Sequence, residues 1–443
     1  MNDLPVGWRW LTPHEIAGEE RSSLTIGPFG SNLKTSDYTT EGVPLVFVRD
    51  IRSGSFSRPR AFVSTAKAEE LSAHLVMPGD VLVTKMGDPP GDSVVYSGSG
   101  PAVITADCIR LRPTSEFDPR YVTYALQAPD ARRQVAGITA GVAQLKVSLA
   151  RFRSGVRIPM PPLPEQEQIV EVLEAHLSRL NAGIAYLNAS KRRARILAKA
   201  VLAALIPDAS AYPASWESTI VAKAGTVELG RQRHPDWHAG PNMRPYLRVA
   251  NVFEDRIDTS DLMEMHWPEG TFERFRLMPG DVLLNEGQSP EWLGRPAIYR
   301  GVPDEVAFTN SLLRFKARED VLPEFALLVF RRHMHTGRFQ QESRITTNIA
   351  HLSATRLKNI EFPVPPMGEQ KLIIEAATLQ LDALKRLETK IAVFEHKAES
   401  LRRSLLDAAF SGRLVNACDR PEGEAVETLI DEIGSPLSGG ASL

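Results

Sequence analysis

Short motifs with residue types suited to catalysis occur in this chain, but each lacks a component that its chemistry needs. Residues 87–91 (GDPPG) contain the DPP of amino-methyltransferases, whose next residue must be aromatic to stack on a flipped base, and Gly91 occupies that place. Residues 388–390 (ETK) have the acid–x–lysine spacing of nucleases, yet they lie within a long helical pattern, where an ion pair on the helix surface is expected. The sequence contains no GxxxxGK(S/T) loop for phosphate binding. These motifs therefore predict neither methyl transfer, nor nuclease activity, nor nucleotide hydrolysis.

Histidine pairs are the remaining candidates for metal chemistry. His234 and His238 form one close pair in the sequence, and His333 and His335 form another. A zinc site needs a set of further Cys, Asp or Glu ligands beside such a pair, and neither pair has one. We therefore expect these histidines on the surface.

Length, composition and charge indicate a globular chain of several domains. The chain has 443 residues, of which 43% are hydrophobic and 24% charged, and this length suits two to four domains. No apolar run approaches membrane-spanning length, the first residues lack a signal-peptide pattern, and the two cysteines show no metal-binding spacing, so a cytoplasmic location is expected. The net charge is −2, so a nucleic-acid partner would have to meet local basic patches such as residues 191–199 and 331–358.

The elements that would position any functional residue are present twice. Residues 159–166 (PMPPLPEQ) and 363–370 (PVPPMGEQ) lie about 200 residues apart, and each opens a run of about forty residues without proline. Proline fixes φ and lacks an N–H group, so it belongs just before or at the start of a helix. Two copies at one long offset indicate a tandem duplication.

The two proline-free runs have the pattern of coiled-coil helices. Their apolar residues alternate spacings of four and three, which is the heptad seam of a coiled coil, and two such helices could bury their seams on each other. In the second run, two successive spacings of three around Leu384 predict a local phase slip. The first predicted seam is Leu173, Leu177, Leu180, Ile184, Leu187, Lys191, Ala194, Ala198, Val201 and Leu205, and the second is Ile374, Ala377, Leu381, Leu384, Leu387, Ile391, Phe394, Ala398, Leu401, Leu405 and Ala408.

Each globular part that precedes a long helix shares strand patterns with the other. Residues 44–51 (PLVFVRDI) and 245–252 (PYLRVANV) have the β-branched and aromatic content of strands. Residues 77–83 and 278–284 place a Met-Pro-Gly-Asp turn before a further strand. The two parts are therefore predicted to share one mixed α/β scaffold.

Four further segments extend this correspondence. Residues 109–112 and 313–316 alternate apolar and basic residues, which predicts strands with one solvated, positive face. Residues 121–135 and 324–339 are predicted helices. The loops between these anchors diverge, as expected for two domains that recognise different ligands.

At this point the sequence resembles a known family, the specificity subunits of type I restriction–modification systems. The resemblance covers residues 1–414 and rests on the duplicated PLPEQ and PPxGEQ openings, the PGD-V-L strands and the LLDAAFSG that closes the second long helix. GPFGSNLK at residues 27–34 and the LGRQR…YLRVANV pattern near residue 230 also resemble that family's target recognition domains.

The resemblance implies an α/β (α+β) fold with two mixed α/β target recognition domains, separated by two long antiparallel coiled-coil helices with pseudo-two-fold symmetry. The expected segments are a first recognition domain at 1–158, a first spacer helix at 159–206, a second recognition domain at 207–362, a second spacer helix at 363–414 and a polar, acidic tail at 415–443.

The resemblance also implies a non-catalytic protein that binds double-stranded DNA. Each recognition domain would contact one half of a split target, and the two helices would set the gap between the halves. Two modification subunits would supply adenine methylation with S-adenosylmethionine, and restriction subunits would add ATP- and Mg-dependent translocation and cleavage. The alternative is an adaptor that uses its coiled coil to hold partner proteins, which explains the helices but not two globular parts with polar loops.

Candidate DNA-contacting residues are the polar and basic side chains on loops between the duplicated strands, because base edges are recognised by Arg, Asn, Gln and Lys and phosphates by further polar groups. In the first domain they are Ser31, Asn32, Lys34, Lys85, Thr139, Gln144 and Lys146, and in the second they are Arg231, Gln232, Arg233, Arg244, Asn285, Gln288, Arg295, Thr346, Thr347 and Asn348.

Overall fold

The computed structural model describes residues 4–20, 22–141, 144–346 and 349–414. The chain divides into two compact units: unit 1 combines Met1–Tyr186 with Val393–Leu443, and unit 2 is Leu187–Ala392. The acidic tail predicted at residues 415–443 lies outside the described residues. Among the helices of the described ranges, none is long and apolar enough to span a membrane.

The described residues of unit 1 form ten strands and six short α-helices, and the first long helix starts in this unit. Its strands are β1 (Arg9–Leu11), β2 (Leu24–Ile26), β3 (Val43–Val46), β4 (Phe62–Val63), β5 (Leu75–Val76), β6 (Val81–Thr84), β7 (Ser93–Val95), β8 (Ala102–Ile104), β9 (Cys108–Leu111) and β10 (Ile158–Met160). Its helices are α1 (Pro13–Ala17), α2 (Val48–Ser53), α3 (Thr65–Glu70), α4 (Pro119–Gln127), α5 (Pro129–Gly137), α6 (Leu149–Gly155) and the start of the long helix α7 (Leu163–Leu205).

Unit 2 follows the same order, and its long helix ends in unit 1. Its strands are β11 (Glu217–Ile220), β12 (Gly225–Leu229), β13 (Met243–Leu247), β14 (Val252–Phe253), β15 (Arg256–Ile257), β16 (Met263–His266), β17 (Val282–Asn285), β18 (Gly287–Gln288), β19 (Pro296–Ile298), β20 (Ala307–Phe308), β21 (Leu312–Ala317), β22 (Arg344–Thr346), β23 (Ile349–His351) and β24 (Glu361–Val364). Its helices are α8 (Val221–Ala224), α9 (Thr271–Phe275), α10 (Pro323–His335), α11 (Arg338–Gln341), α12 (Ala354–Lys358) and the long helix α13 (Met367–Phe410).

The duplication is visible in the sheets. Unit 1 has an antiparallel sheet in the order β2-β9-β6-β7 and a mixed sheet in the order β4-β3-β8-β5. In unit 2, β12-β21-β17-β19 repeats the first sheet and β16-β13-β20 repeats three strands of the second, and β13 pairs in parallel with β20 as β3 does with β8. The mixed α/β architecture and the two long helices predicted from the sequence are confirmed.

Several element predictions were wrong in extent. The strands predicted at 44–51 and 245–252 end early, at Val46 and Leu247, and the chain then turns into α2 in unit 1 and into a 3-10 turn in unit 2. The helix predicted at 121–135 is interrupted before Pro129, whose ring cannot continue a helix. The helix predicted at 324–339 breaks at Gly337, which adopts a φ of 75°.

The prediction of a solvated basic face on β9 and β21 was also wrong. Arg110 and Arg314 are both buried because the second sheet of each unit covers the face that the sequence pattern suggested was open. Arg110 donates to the carbonyls of Ser22 and Leu75. Arg314 Nε donates to Glu228 Oε2 at 3.0 Å, so this buried cation is paired.

The repeated proline–glutamate–glutamine signature anchors each long helix to its own unit. In unit 1, buried Gln166 accepts from Asp118 N at 2.9 Å and donates to Pro161 O at 2.8 Å. Glu165 accepts from Trp8 Nε1 at 2.9 Å. We call this set of contacts the glutamine anchor.

Unit 2 repeats the glutamine anchor. Buried Gln370 accepts from Leu322 N at 2.8 Å and donates to Pro365 O at 2.8 Å, and Glu369 accepts from Trp216 Nε1 at 2.7 Å. The tryptophan, the glutamate and the glutamine of the duplicated motifs are thus explained by hydrogen bonds that fix the start of each helix.

The two long helices pack antiparallel within each unit. In unit 1, Leu173 near the start of α7 shares a core with Leu405 near the end of α13. In unit 2, Val201 near the end of α7 shares a core with Ala377 and Leu381 near the start of α13. The start of each helix therefore packs on the end of the other.

The seam of α13 differs from the prediction. Leu387 and Phe394 are 43% and 54% exposed, while Glu388 and Glu395 occupy partly buried positions instead. From residue 374 to residue 398 a row of buried and half-buried positions alternates spacings of three and four, so the predicted phase slip around Leu384 is absent. Glu388 Oε1 lies 3.6 Å from Arg195 Nε of α7, which explains a carboxylate near the seam. The prediction placed an ion pair of this residue on the surface of a single helix, whereas this pair joins the two long helices.

Candidate nucleic-acid interface

Three segments of unit 1 meet at the turn between β8 and β9. The first loop, residues 27–38 after β2, begins where Gly27 N donates to Cys108 O at 3.1 Å. A Cβ atom at Gly27 would lie 2.1 Å from Thr105 O, so only glycine fits there. The second segment follows β6, and Lys85 N donates to Asp107 O at 2.8 Å.

The third segment is formed by residues 138–141 and 144–147, which pair with each other as the two arms of a hairpin. Ala140 and Lys146 exchange backbone hydrogen bonds of 3.0 and 2.9 Å, and Val147 N donates to Lys85 O at 2.9 Å. The hairpin is thereby joined to the segment after β6. Three polar segments that are distant in sequence form one surface at the end of the antiparallel sheet.

Unit 2 repeats this arrangement with different side chains. Gly230 N donates to Leu312 O at 3.2 Å, and Glu286 N donates to Ser311 O at 3.0 Å. The β22–β23 hairpin takes the place of the hairpin of unit 1, and Leu352 N donates to Glu286 O at 2.8 Å. The backbone of the two surfaces is therefore conserved between the units while the loops differ.

In unit 1 the candidate residues divide into exposed and engaged side chains. Ser31, Asn32, Lys34, Gln144 and Lys146 are exposed on the first loop and the hairpin. The other two candidates are half-buried and already bonded: Lys85 Nζ donates to Ala106 O at 3.4 Å, and Thr139 Oγ1 donates to Val135 O at 2.7 Å.

In unit 2, Gln232 and Arg233 are exposed on the loop after β12. Gln288 is half-buried on β18, next to the hairpin. Arg244 lies apart from these residues on β13, and its Nη1 donates to Glu305 Oε2 at 2.6 Å. Thr346 lies on β22, and Thr347 and Asn348 lie outside the described residues.

Arg231 is the candidate whose position most favours a structural role over DNA contact. Its guanidinium is buried, with its central carbon 3.9 Å from the centre of the Trp237 ring and 4.8 Å from that of Trp267. Its Nη1 donates to His266 O at 2.8 Å. Burial also lowers the pKa of Arg231. These contacts hold the loop that presents Gln232 and Arg233.

Asn285 and Arg295 are adjacent below the hairpin. Asn285 is fully buried; its Nδ2 donates to Val252 O at 3.4 Å, and its Oδ1 has no partner. Arg295 stacks over Phe253, 4.6 Å from the ring centre, and burial lowers its pKa. Asn285 is therefore placed to support the surface, whereas the partly exposed Arg295 can still contact an anion.

A charged cluster lies beside Arg295. Burial by itself would raise the pKa of Glu254, but hydrogen bonds from His335 Nε2 and Arg331 Nε, both 2.8 Å long, hold it at about 2. Glu254 is therefore ionised at neutral pH and balances the nearby arginines.

The surface location expected for the second histidine pair was wrong for His333, while His234 and His238 are exposed as predicted. His333 is fully buried in α10, and one ring nitrogen lies 3.0 Å from Glu361 O. Burial lowers its pKa to about 4, so the ring is neutral at neutral pH. The sequence around His333 contains no pattern that distinguishes this buried histidine from one on the surface of α10.

Phe29 is a further residue of the surface that the sequence reasoning did not select. It lies on the first loop of unit 1 and is 68% exposed. A phenylalanine in a sequence is normally assigned to the core, so only the structure shows this side chain on the outside.

Comparison with known proteins gives the class of protein to which these two duplicated units belong. The family model described as "Type I restriction modification DNA specificity domain" matches residues 76–186 and 266–393, and the chain belongs to this family. Both matches run from the PGD strand region into a long helix, so they include parts of both duplicated units.

Individual relatives are distant but extend over most of the chain. The chain is similar to the "Type I restriction enzyme EcoKI specificity subunit" of Escherichia coli K12, with 20% identity over 93% of this chain and 90% of the relative. The "Putative type I restriction enzyme MjaX specificity subunit" of Methanocaldococcus jannaschii is 28% identical over 35% of this chain and 41% of its own length.

Solved structures show the same fold. A chain from a study described as "Structural basis underlying complex assembly and conformational transition of the type I R-M system" matches with a TM-score of 0.72 and 17% identity, over 93% of this chain and all of its own. The HsdS subunit from Thermoanaerobacter tengcongensis matches with a TM-score of 0.50 and 18% identity over 93% of this chain and 98% of its own.

Proposed function

We propose that this specificity subunit recognises a bipartite DNA target, with one half-site contacted by the loop surface of each unit. The observation that carries the proposal is the repeated meeting of three polar segments at one turn, with backbone hydrogen bonds that are the same in both units and side chains that differ. Conserved backbone with divergent side chains is the arrangement expected when two copies of one scaffold recognise two different base sequences.

The antiparallel helices are proposed to set the gap between the half-sites. A pseudo-two-fold protein has a half-site spacing that follows from its own dimensions. Helices α7 and α13 contain 43 and 44 residues, and each passes from one unit into the other. They are the only elements of the described residues that run through both units, so they are the elements suited to fix this spacing.

Methyl transfer is proposed to belong to partner subunits that use S-adenosylmethionine, and cleavage to restriction subunits that use ATP and Mg²⁺. The DPP motif supports this division. Gly91 adopts a φ of 94°, and a Cβ atom there would lie 2.7 Å from a methyl group of Val135, so this position cannot hold the aromatic residue that base stacking requires.

Two modification subunits are proposed to bind the long helices. Leu372 and Leu379 lie one heptad apart on α13 and are 65% and 71% exposed, although apolar side chains at such spacing are usually covered. Their replacement by glutamate should abolish co-purification with the modification subunits, whereas the exposed charge Glu375 should tolerate replacement by glutamine.

The proposed function is tested by mapping methylated sites in a host that expresses this chain with its modification subunits. A single two-part motif with a fixed gap is expected. Exchanging the exposed hairpin residues Gln144 and Lys146 of unit 1 for those of another family member should change one half of the motif and leave the other unchanged.

The adaptor alternative predicts a different result. If the chain only holds partner proteins, the methylated sites should not change when the hairpin is exchanged, because the sequence preference would belong to the partners. A change in both halves together would contradict the assignment of one half-site to each unit.

A further inference from the structure

Phe29 is exposed, whereas other apolar residues of the same loop are buried. Its neighbours Pro28 and Leu33 are buried and attach the first loop to unit 1, while Phe29 keeps 68% of its surface in solvent. Burying a phenylalanine side chain normally stabilises the folded state. The loop forgoes that stabilisation at this one position.

The backbone around Phe29 is tied down on both sides. On one side, Gly27 is held against the β8–β9 turn by its hydrogen bond to Cys108 O. On the other side, Asn32 N donates to Phe29 O at 2.8 Å, which closes a tight turn. The aromatic ring therefore projects from an ordered turn, and its exposure is a property of the folded loop.

The position of Phe29 relates it to DNA contact. Ser31, Asn32 and Lys34 are exposed on the same loop and are the polar candidates of unit 1. In unit 2 the corresponding place, two residues after the buried glycine, is occupied by the exposed Gln232. The two units thus present an apolar group and a polar group at matching positions.

We infer that Phe29 makes an apolar contact with a base in the half-site recognised by unit 1. The inference rests on the proposed function. Phenylalanine can pack on the C5 methyl group of thymine in the major groove, or on the face of a base at an opened step, and both are apolar base surfaces. Such a contact adds sequence preference without adding charge.

The test uses the full chain assembled with its modification subunits and a duplex that carries the mapped target. Affinity is measured by fluorescence anisotropy at several salt concentrations for the wild-type complex, Phe29→Ala and Phe29→Leu. Phe29→Ala should lower affinity for the target about tenfold, should leave binding to a non-target duplex unchanged, and should not alter the salt dependence. Phe29→Leu should retain most of the affinity.

Two matched controls separate this contact from other effects. Lys34→Ala removes a charge from the same loop and should weaken binding to target and non-target duplexes alike, with a shallower salt dependence. The melting temperature of Phe29→Ala should equal that of the wild type because the side chain is exposed. The inference is overturned if Phe29→Ala binds the target as tightly as the wild type, or if it weakens binding to both duplexes equally.

Replacing each thymine of the half-site by deoxyuridine identifies the base surface. If replacing one thymine lowers the affinity of the wild type but does not lower that of Phe29→Ala, the contact is assigned to the methyl group of that thymine. Loss in Phe29→Ala with no sensitive thymine assigns it to a base face. A wild-type complex without any preference for the mapped duplex would refute the proposed function and this inference together.

Discussion

If α7 and α13 set the gap between the half-sites, lengthening both helices at matched points should lengthen the gap alone. The boundary between the two units falls after Tyr186 in α7 and after Ala392 in α13. Four residues inserted at each point leave the core of each unit complete. The core of unit 1 uses residues before the first insertion and after the second, and the core of unit 2 uses residues between them.

The expected change follows from helix geometry. Four residues add about 6 Å of rise, which is close to two base pairs at about 3.4 Å each. They also turn the following part of the helix by about 400°, a net rotation of about 40°. This small change of phase leaves most of the heptad face in contact, so the helices should stay paired.

The assay is methylation-site mapping with the assembled complex. Both half-sites should be kept and the gap should grow by about two base pairs. A two-residue insertion at the same points is the control: it turns the seam by about 200°, exposes apolar seam residues and should abolish assembly. An unchanged gap with full activity after the four-residue insertion would refute the view that the helices fix the spacing.

Three further predictions concern stability and DNA contact. Gln166→Ala should lower the free energy of unfolding by about 2–3 kcal/mol, because it leaves buried backbone groups without partners; thermal melting measures the loss, and the exposed Gln168→Ala should show none. For His333, burial places the folded-state pKa at about 4, below the usual value of 6.5, so protonation favours the unfolded state. Stability should therefore be complete above about pH 6.5 and fall by about 3 kcal/mol as the pH drops toward 4, and equilibrium unfolding of His333→Gln should show a flatter pH profile. Arg231→Ala should lower the melting temperature because it removes the guanidinium that packs on the rings of Trp237 and Trp267. Arg233→Ala should leave melting unchanged and weaken target binding by about 1–3 kcal/mol if it contacts a base bidentately. Equal melting of these two arginine variants would contradict the structural role assigned to Arg231.

The architecture could be predicted from the sequence because each motif occurs twice, so each local interpretation could be checked against its second copy. Two proline-led runs with the same signature identified the long helices, and the PGD strands appeared at one offset in both units. Local errors came from tertiary contacts that periodicity cannot show. Arg110 and Arg314 alternate with apolar residues like surface cations, but a second sheet covers them.

The prediction of the α13 seam was wrong for a related reason. Leu387 and Phe394 are large apolar residues near the middle of the helix, so a pattern based on hydrophobicity selects them. The observed phase is instead set by the cores at both ends of the helix, and Glu388 occupies its position by pairing with Arg195.

For the candidate site, the sequence located the loops but could not separate contact residues from supporting ones. Gln232 and Arg233 are exposed, while Arg231 immediately before them is enclosed by tryptophans that lie farther along the chain. No local pattern distinguishes these three neighbours. Their placement depends on Trp237 and Trp267, which only the folded loop brings to the arginine.

The division of each long helix between the two units has a consequence for how such genes can change. Unit 2 is one uninterrupted stretch, from Leu187 in the middle of α7 to Ala392 in the middle of α13, and it contains its own core and its own glutamine anchor. A double crossover between two related genes at the codons for these helix midpoints would transfer that stretch as a single cassette. The descendant would inherit the core, the glutamine anchor and the loops of unit 2 together, so a new combination of specificities could arise in one genetic event.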